Sequence, residues 1–338
     1  MRDAVRAAIE PYLEEFAGTG LIGVGDETVH AWSGGMANRD FAVLNRLETR
    51  FDTASITKAF TAAAVLALVA EGKLALDMRI TALVDLAGTR ISPEVTLEHL
   101  LTHTSGIADD ADEEAGEDYA ALFVDSPNYA IRACRDILPN FAYKEPWFAP
   151  GTGVRYNNCA FVLLGLAMEA VTGEDSRQTI QRLVFAPCGM KDTGFFAKDE
   201  VCPNRAEGYF PRQDGPDGPI TWMKNIYSYP PIGTPDGGAY ATVGDLERFL
   251  RAIIAGTLLP PAMTQAFLRP HSPFTRDVKH GTWKTGYAFE FILRGDEVLC
   301  MYKEGGSDGV DAITGYFPSH DCTVHMLANA GGGPLWRM

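Results

Sequence analysis

Ser55 and Lys58 stand three residues apart at the head of a long apolar run, Ala59-Phe60-Thr61-Ala62-Ala63-Ala64-Val65-Leu66-Ala67-Leu68-Val69-Ala70. Ala and Leu dominate the run, proline is absent and Gly72 follows it. It is therefore expected to be a helix reaching about Glu71, with Asp52 and Thr53 as candidate caps. Residues i and i+3 share a helix face, with Cβ atoms ~5–6 Å apart, so a hydroxyl faces an amine. An amine packed among apolar groups holds its proton less tightly and can draw one from a serine. The positive end of the helix dipole lies where an oxyanion would form. The bland alternative is a capping serine near a surface lysine. Partners elsewhere in the chain decide between the two.

Four other stretches carry chemistry-bearing residues. His99 and His103 have the i, i+4 spacing of metal ligands, but the glutamate of H-E-x-x-H is missing and no third ligand is evident. Asp109–Asp118 holds seven acids in ten residues without the pattern of an EF-hand loop. It reads as a solvated loop, or as an acidic rim favouring cationic substrates. Tyr156 and Asn158 fall on a loop at the mouth of an apolar segment, Phe161–Val171, that ends at Gly173. Gly305-Gly306-Ser307-Asp308-Gly309 matches G-x-S-x-G, with Asp321 and His325 following in order. A nucleophile elbow must lead into a helix, whereas Val310–Pro318 reads as strand, so the match is taken as coincidental.

The elements that must position these residues follow from period and punctuation. Residues 1–16 read as an amphipathic helix and not a signal peptide. Leu21–Val24 and Thr28–Trp32 form a hairpin. Thr96–His103 is a short capped helix. Residues 203–236, rich in Pro, Gly and aromatics, read as an irregular segment lining a cleft. Gly244–Leu250 is helical. Tyr287–Leu293, Val298–Tyr302, Ala312–Phe317 and Thr323–Leu327 are strands with short links, hence an antiparallel meander. The fold class is α/β in the α+β sense: an antiparallel sheet flanked by helices, with an inserted helical lobe. The sheet lobe takes residues 1–54 and 281–338, the helical lobe 55–280, and a cleft lies between them.

With 338 residues, two lobes are expected. The net charge of −15 argues against nucleic acid or an anionic membrane as partner. No apolar stretch reaches the length of a membrane span. Six cysteines without C-x-x-C spacing, Cys134, Cys159, Cys188, Cys202, Cys300 and Cys322, read as free thiols in the cytoplasm.

Three separated signals stand in one order: Ser55-x-x-Lys58, Tyr156-x-Asn158 and Lys303-x-Gly305. Together they resemble the motifs of the serine β-lactamase and penicillin-binding protein family, nearest in kind to class C β-lactamases and their D-peptidase and esterase relatives. The flanks Phe51–Lys58, His103-Thr104-Ser105-Gly106, Pro150-Gly151 and Gly237–Leu246 are similar too. The resemblance implies a serine hydrolase with no cofactor or metal. Ser55 would form an acyl-enzyme, and Lys58 and Tyr156 would share proton transfer. Asn158 would bind Lys58 and the acyl group, and Lys303 would hold Tyr156 in a positive field. The N–H groups of Ser55 and Gly306 would form the oxyanion hole.

Glu304 departs from the small residue usual between Lys303 and Gly305. With Gly305 it is placed in the substrate site, where a carboxylate should repel a substrate carboxylate. The expected substrate is therefore a small ester or amide without that group. A β-lactamase or D-alanyl-D-alanine carboxypeptidase, and a non-catalytic binding descendant, stand as alternatives. The sequence ends at Leu335-Trp336-Arg337-Met338, where the family usually adds a helix on the sheet, so a partner is expected to cover that face. Homo-oligomerisation is left open.

Overall fold

The computed structural model describes residues 7, 9–13, 15–213, 215 and 218–331. The expected helix over residues 1–16 and the sequence from Leu335 onward thus lie partly or wholly outside the described residues. Eight strands form one antiparallel sheet: β1 (Gly18–Val24), β2 (Glu27–Gly34), β3 (Arg276–Val278), β4 (Gly281–Thr285), β5 (Glu290–Arg294), β6 (Glu297–Ser307), β7 (Val310–Phe317) and β8 (Cys322–Ala328). Their spatial order is β2-β1-β8-β7-β6-β5-β4-β3. The N-terminal hairpin joins the C-terminal meander through β1 and β8, with Gly18 opposite Ala328.

Residues 35–275 separate β2 from β3 and supply the helices packed on the inner face of the sheet. Helix α1 (Thr57–Ala70) is buried on almost every side, as a helix apolar all round must be. Phe60 of α1 meets the rings of Phe185 and Phe249 edge-on. Helix α2 (Cys159–Thr172) packs beside α1 and ends at Gly173, whose φ of +70° suits a residue without a Cβ. Helix α3 (Val243–Ile254) lies against β1 and β8. The outer face of the sheet carries a smaller apolar cluster, in which Trp32, Met326 and Ala328 pack with Ile9 and Phe16.

Several expectations are revised in detail. Tyr287–Phe289 is a buried turn, closed by the Gly286 N–H donating to the Phe289 carbonyl, so β5 starts only at Glu290. Strands β3 and β4, not read from the sequence, extend the sheet edge. Within 203–236 a two-stranded ribbon pairs Tyr209–Gln213 with Ile220–Lys224. Strand β6 runs through the whole Lys303–Ser307 stretch, so the G-x-S-x-G match is a strand end and turn.

Among the described residues no helix is long and apolar enough to cross a membrane.

Candidate active site

Ser55 lies in one 3-10 turn, Ala54–Ile56, that runs directly into α1. Neighbouring chain clamps this turn. The Thr53 N–H and hydroxyl both donate to the Ala239 carbonyl, and the Ala239 N–H donates to Thr57 Oγ1. Thr53 is the turn's cap by position, but its side chain makes no capping bond. Asp52 holds the turn instead, accepting the Ala54 N–H at 2.8 Å. Ala54 has φ +41°, a left-handed conformation that disfavours a Cβ. The clamps hold it there.

The helix face works as its spacing requires. Lys58 Nζ donates to Ser55 Oγ at 3.0 Å, to Asn158 Oδ1 at 2.7 Å and to the Asp236 carbonyl at 2.5 Å. Burial pushes the lysine down to about 8, although the Asp236 carboxylate works against the shift. Tyr156 OH donates to Ser55 Oγ at 2.7 Å. Burial, with Glu113 nearby, drives this phenol well above its usual range, so it stays protonated and serves as a donor.

The loop bearing Tyr156 and Asn158 is anchored from a distance. His103, with φ +58°, accepts the Asn157 N–H on Nδ1, and its carbonyl accepts the Arg155 N–H. Its ring lies 4.8 Å from that of Tyr156, and burial keeps it neutral by lowering its pKa well below the usual value. His103 lies beyond the end of the helix holding His99 (Leu97–Leu101), whose ring accepts the Thr96 N–H as part of a capping box. The two histidines therefore serve separate structural bonds.

The stretch Asp109–Asp118 is only partly the solvated loop its composition suggests. Asp109 and Asp110 are buried. The first N–H groups of a helix have no intrahelical acceptor, and Asp109 supplies one to α2: its two oxygens accept from Asn158 N at 2.7 Å and Cys159 N at 2.9 Å. Asp112 grips Arg155 through both oxygens. Glu113 accepts from Asn158 Nδ2 at 2.8 Å. This loop thus overlies the site and fixes Asn158.

Strand β6 forms the other wall. Alternation turns Met301, Lys303 and Gly305 inward, where they are buried, and Glu304 to the other face. Lys303 Nζ sits 4.9 Å from the Tyr156 ring centre and 3.2 Å from Glu290 Oε1. Gly305 touches the serine turn: a Cβ there would fall 2.2 Å from the Thr53 carbonyl oxygen. Glu304 is half-buried, and burial next to Glu290 pushes its carboxyl up to about 7.

Two cavities meet at Ser55. One, of about 330 Å³, is lined by Asn158, Tyr119, Tyr229, Glu113 and the Pro230–Gly233 segment. The other, of about 600 Å³, is lined by Tyr156, Lys303, Glu304, Glu290, Trp283 and Arg276. Residues Ser55, Lys58, Tyr156, Asn158 and Lys303 are therefore brought together, with Gly305 and Gly306 alongside and Glu304 at the rim.

The Beta-lactamase family profile matches residues 5–336. The chain belongs to the β-lactamase family. As a β-lactamase-family member it is 32% identical over 286 residues to Esterase EstB of Burkholderia gladioli, a match spanning 77% of this chain and 71% of the esterase. Its fold is similar to that of a penicillin binding protein from Bacillus halodurans, with 34% identity and a TM-score of 0.88 over 97% of this chain and 96% of that one. An octameric penicillin-binding protein homologue from Pyrococcus abyssi is also similar, at 26% identity and TM-score 0.79 over 98% and 73% of the two chains. This β-lactamase-family chain is a serine hydrolase of the esterase-related kind.

The second serine motif falls apart in space. Asp321 binds Arg251, and His325 bonds Glu247 and Thr314. Asp109, Glu113, Asp236 and Glu290 were not singled out by sequence reasoning. Each acts through long-range contact, and no local pattern marks it.

Proposed function

We propose that the enzyme hydrolyses small esters or amides lacking a carboxylate, through an acyl-enzyme on Ser55. One observation carries the reading: Ser55 Oγ lies between a lysine amine and a protonated phenol, where two cavities meet. Lys58 in its neutral form takes the serine proton as Oγ bonds to the carbonyl carbon. The N–H groups of Ser55 and Gly306 receive the oxyanion. The Tyr156 phenol hands a proton to the leaving alcohol or amine and regains one from Lys58. Water then enters by the reverse path and releases the acid. Asn158 holds Lys58 and faces the acyl cavity. Lys303 stands over the Tyr156 ring on the leaving-group side, where its ammonium favours proton transfer to the departing group.

The reading is tested by mixing the enzyme with a p-nitrophenyl short-chain ester. A burst of one nitrophenol per enzyme is expected, with the acyl mass on the Ser55 peptide. Acyl mass on the Ser307 peptide, or steady hydrolysis with no adduct, would overturn it.

Glu304 supports exclusion of carboxylates. Since its carboxyl ionises at about 7, it is largely neutral at pH 6 and charged at pH 8. Discrimination between a neutral ester and a penicillin is expected to widen across that interval, by several-fold. Penicillin turnover comparable to ester turnover at pH 8 would count against this and favour a β-lactamase.

Six unpaired cysteines support a cytoplasmic setting, and the octameric relative supports self-association.

A further inference from the structure

The larger cavity is lined by side chains of both charges, and its cations are already engaged. Two cations line it, Lys303 and Arg276. Arg276 bonds Glu114 at 3.2 Å. Lys303 is 3% exposed, and its ammonium meets Glu290 Oε1 at 3.2 Å. Glu290 is itself held from two sides: Oε2 accepts the Trp283 indole N–H at 2.7 Å and the Tyr302 hydroxyl at 3.3 Å. Tyr302 is its direct partner across β5 and β6. The carboxylate is thus fixed by strand register and two donors from β4 and β6.

We propose that Glu290 is a positioning and specificity-determining residue: it cancels the charge of Lys303 toward the leaving-group cavity and so excludes substrates with a carboxylate there. This rests on the reading of Ser55 as the nucleophile between the two cavities. A buried cation with a carboxylate at hydrogen-bond distance offers little field to a second anion, because the two charges are compensated. The same contact fixes the Lys303 ammonium above the Tyr156 ring, where it still favours a departing oxygen. Glu304 adds a negative charge at the rim, so a carboxylate entering the cavity meets acids first.

The test compares two aryl acetates that differ in one group, 3-acetoxybenzamide and 3-acetoxybenzoate. In the wild type the amide-bearing ester is expected to be preferred. Glu290→Gln retains an acceptor for Trp283 and Tyr302 but frees Lys303. It is expected to shift the kcat/KM ratio toward the benzoate by about tenfold, even if both rates fall. A folded variant in which both substrates fall together and the ratio stands still would overturn the proposal, since a merely structural role moves both alike. Should Glu290→Gln not fold, Glu290→Asp withdraws the charge from Lys303 by one methylene. It is expected to move the ratio in the same direction by a smaller factor, and a fixed ratio in that folded variant overturns the proposal equally. Binding separates this from the nucleophile assignment. In Ser55→Ala, calorimetry with the intact esters is expected to show the benzoate gaining about tenfold when Glu290→Gln is added. That gain would support the role of Glu290 even if the wild type turned over neither ester, and its absence would overturn it.

Discussion

Lys58→Met is expected to lower acylation of Ser55 by about 10³-fold or more, in a protein that still folds. The lysine touches Ser55 Oγ and can accept its proton close to neutral pH. The Tyr156 phenol is held too far up to be ionised there. The wild-type kcat/KM for a neutral ester should rise with pH and level off above about 8, where burial has placed the Lys58 titration. Below that value the amine is an ammonium and has no lone pair to offer. Adding Ser55→Ala to Lys58→Met should cost nothing further, because the two act as a unit. Stability moves with pH in the same direction. A lysine depressed from 10.5 to about 8 disfavours the fold wherever the unfolded chain would be protonated. Unfolding free energy should therefore rise with pH between about 8 and 10.5. Lys58→Met removes that penalty of about 3 kcal/mol. It also leaves the Asn158 and Asp236 acceptors without a donor, at about 1–3 kcal/mol each. Net stability should stay within about 3 kcal/mol of wild type, as read by thermal or denaturant unfolding. A flat pH profile from 6 to 9, or near wild-type acylation by Lys58→Met, would remove the lysine from the role of base.

Gly305→Ala is expected to reduce kcat/KM by about 10²-fold through displacement alone. The added Cβ would lie 2.2 Å from the Thr53 carbonyl oxygen and 3.1 Å from the Ser55 nitrogen. Both atoms are backbone, so no rotamer change can relieve the overlap. Either β6 withdraws from the serine turn, or the turn gives up its bonds to Ala239. Each route moves Ser55 relative to Gly306 and Lys303, and overpacking of this kind costs about 1–3 kcal/mol. Gly306→Ala makes the comparison, because a Cβ there meets nothing within 4 Å and its unfolding midpoint should match wild type. Equal unfolding midpoints and equal activity for Gly305→Ala and wild type would show that the close approach is not required.

The residues legible in sequence were those whose partners are local or whose motif order is distinctive. The Ser55–Lys58 pair needs one helix turn, and α1 supplies it. The meander was readable from its two-residue period, and the order of the three motifs identified the family. What stayed hidden depends on contacts between distant segments. Asp109 looked like one acid among seven, because its acceptor role exists only when α2 arrives beside it. Glu304 was placed in the substrate site, and it lines the larger cavity, but at its rim, because strand alternation sets it on the other side of β6 from Lys303. Glu290 sat in a stretch read as strand from Tyr287. A buried turn delays the strand, and the delay sets which cross-strand residue Glu290 meets.

The pairing of β1 with β8 has a consequence for biosynthesis. Gly18 has no partner on one side until Ala328 has been made, so the first hairpin waits with one edge unpaired while everything between β2 and β8 is synthesised. Contacts of such long separation slow folding, and an unpaired edge held open during synthesis invites the wrong neighbour. The same delay falls on the proposed nucleophile. Lys303 and Gly305 emerge long after Ser55, so a nascent chain carries Ser55 without the strand beside it, and the site is complete only once β6 has joined the sheet through β7, β8 and β1.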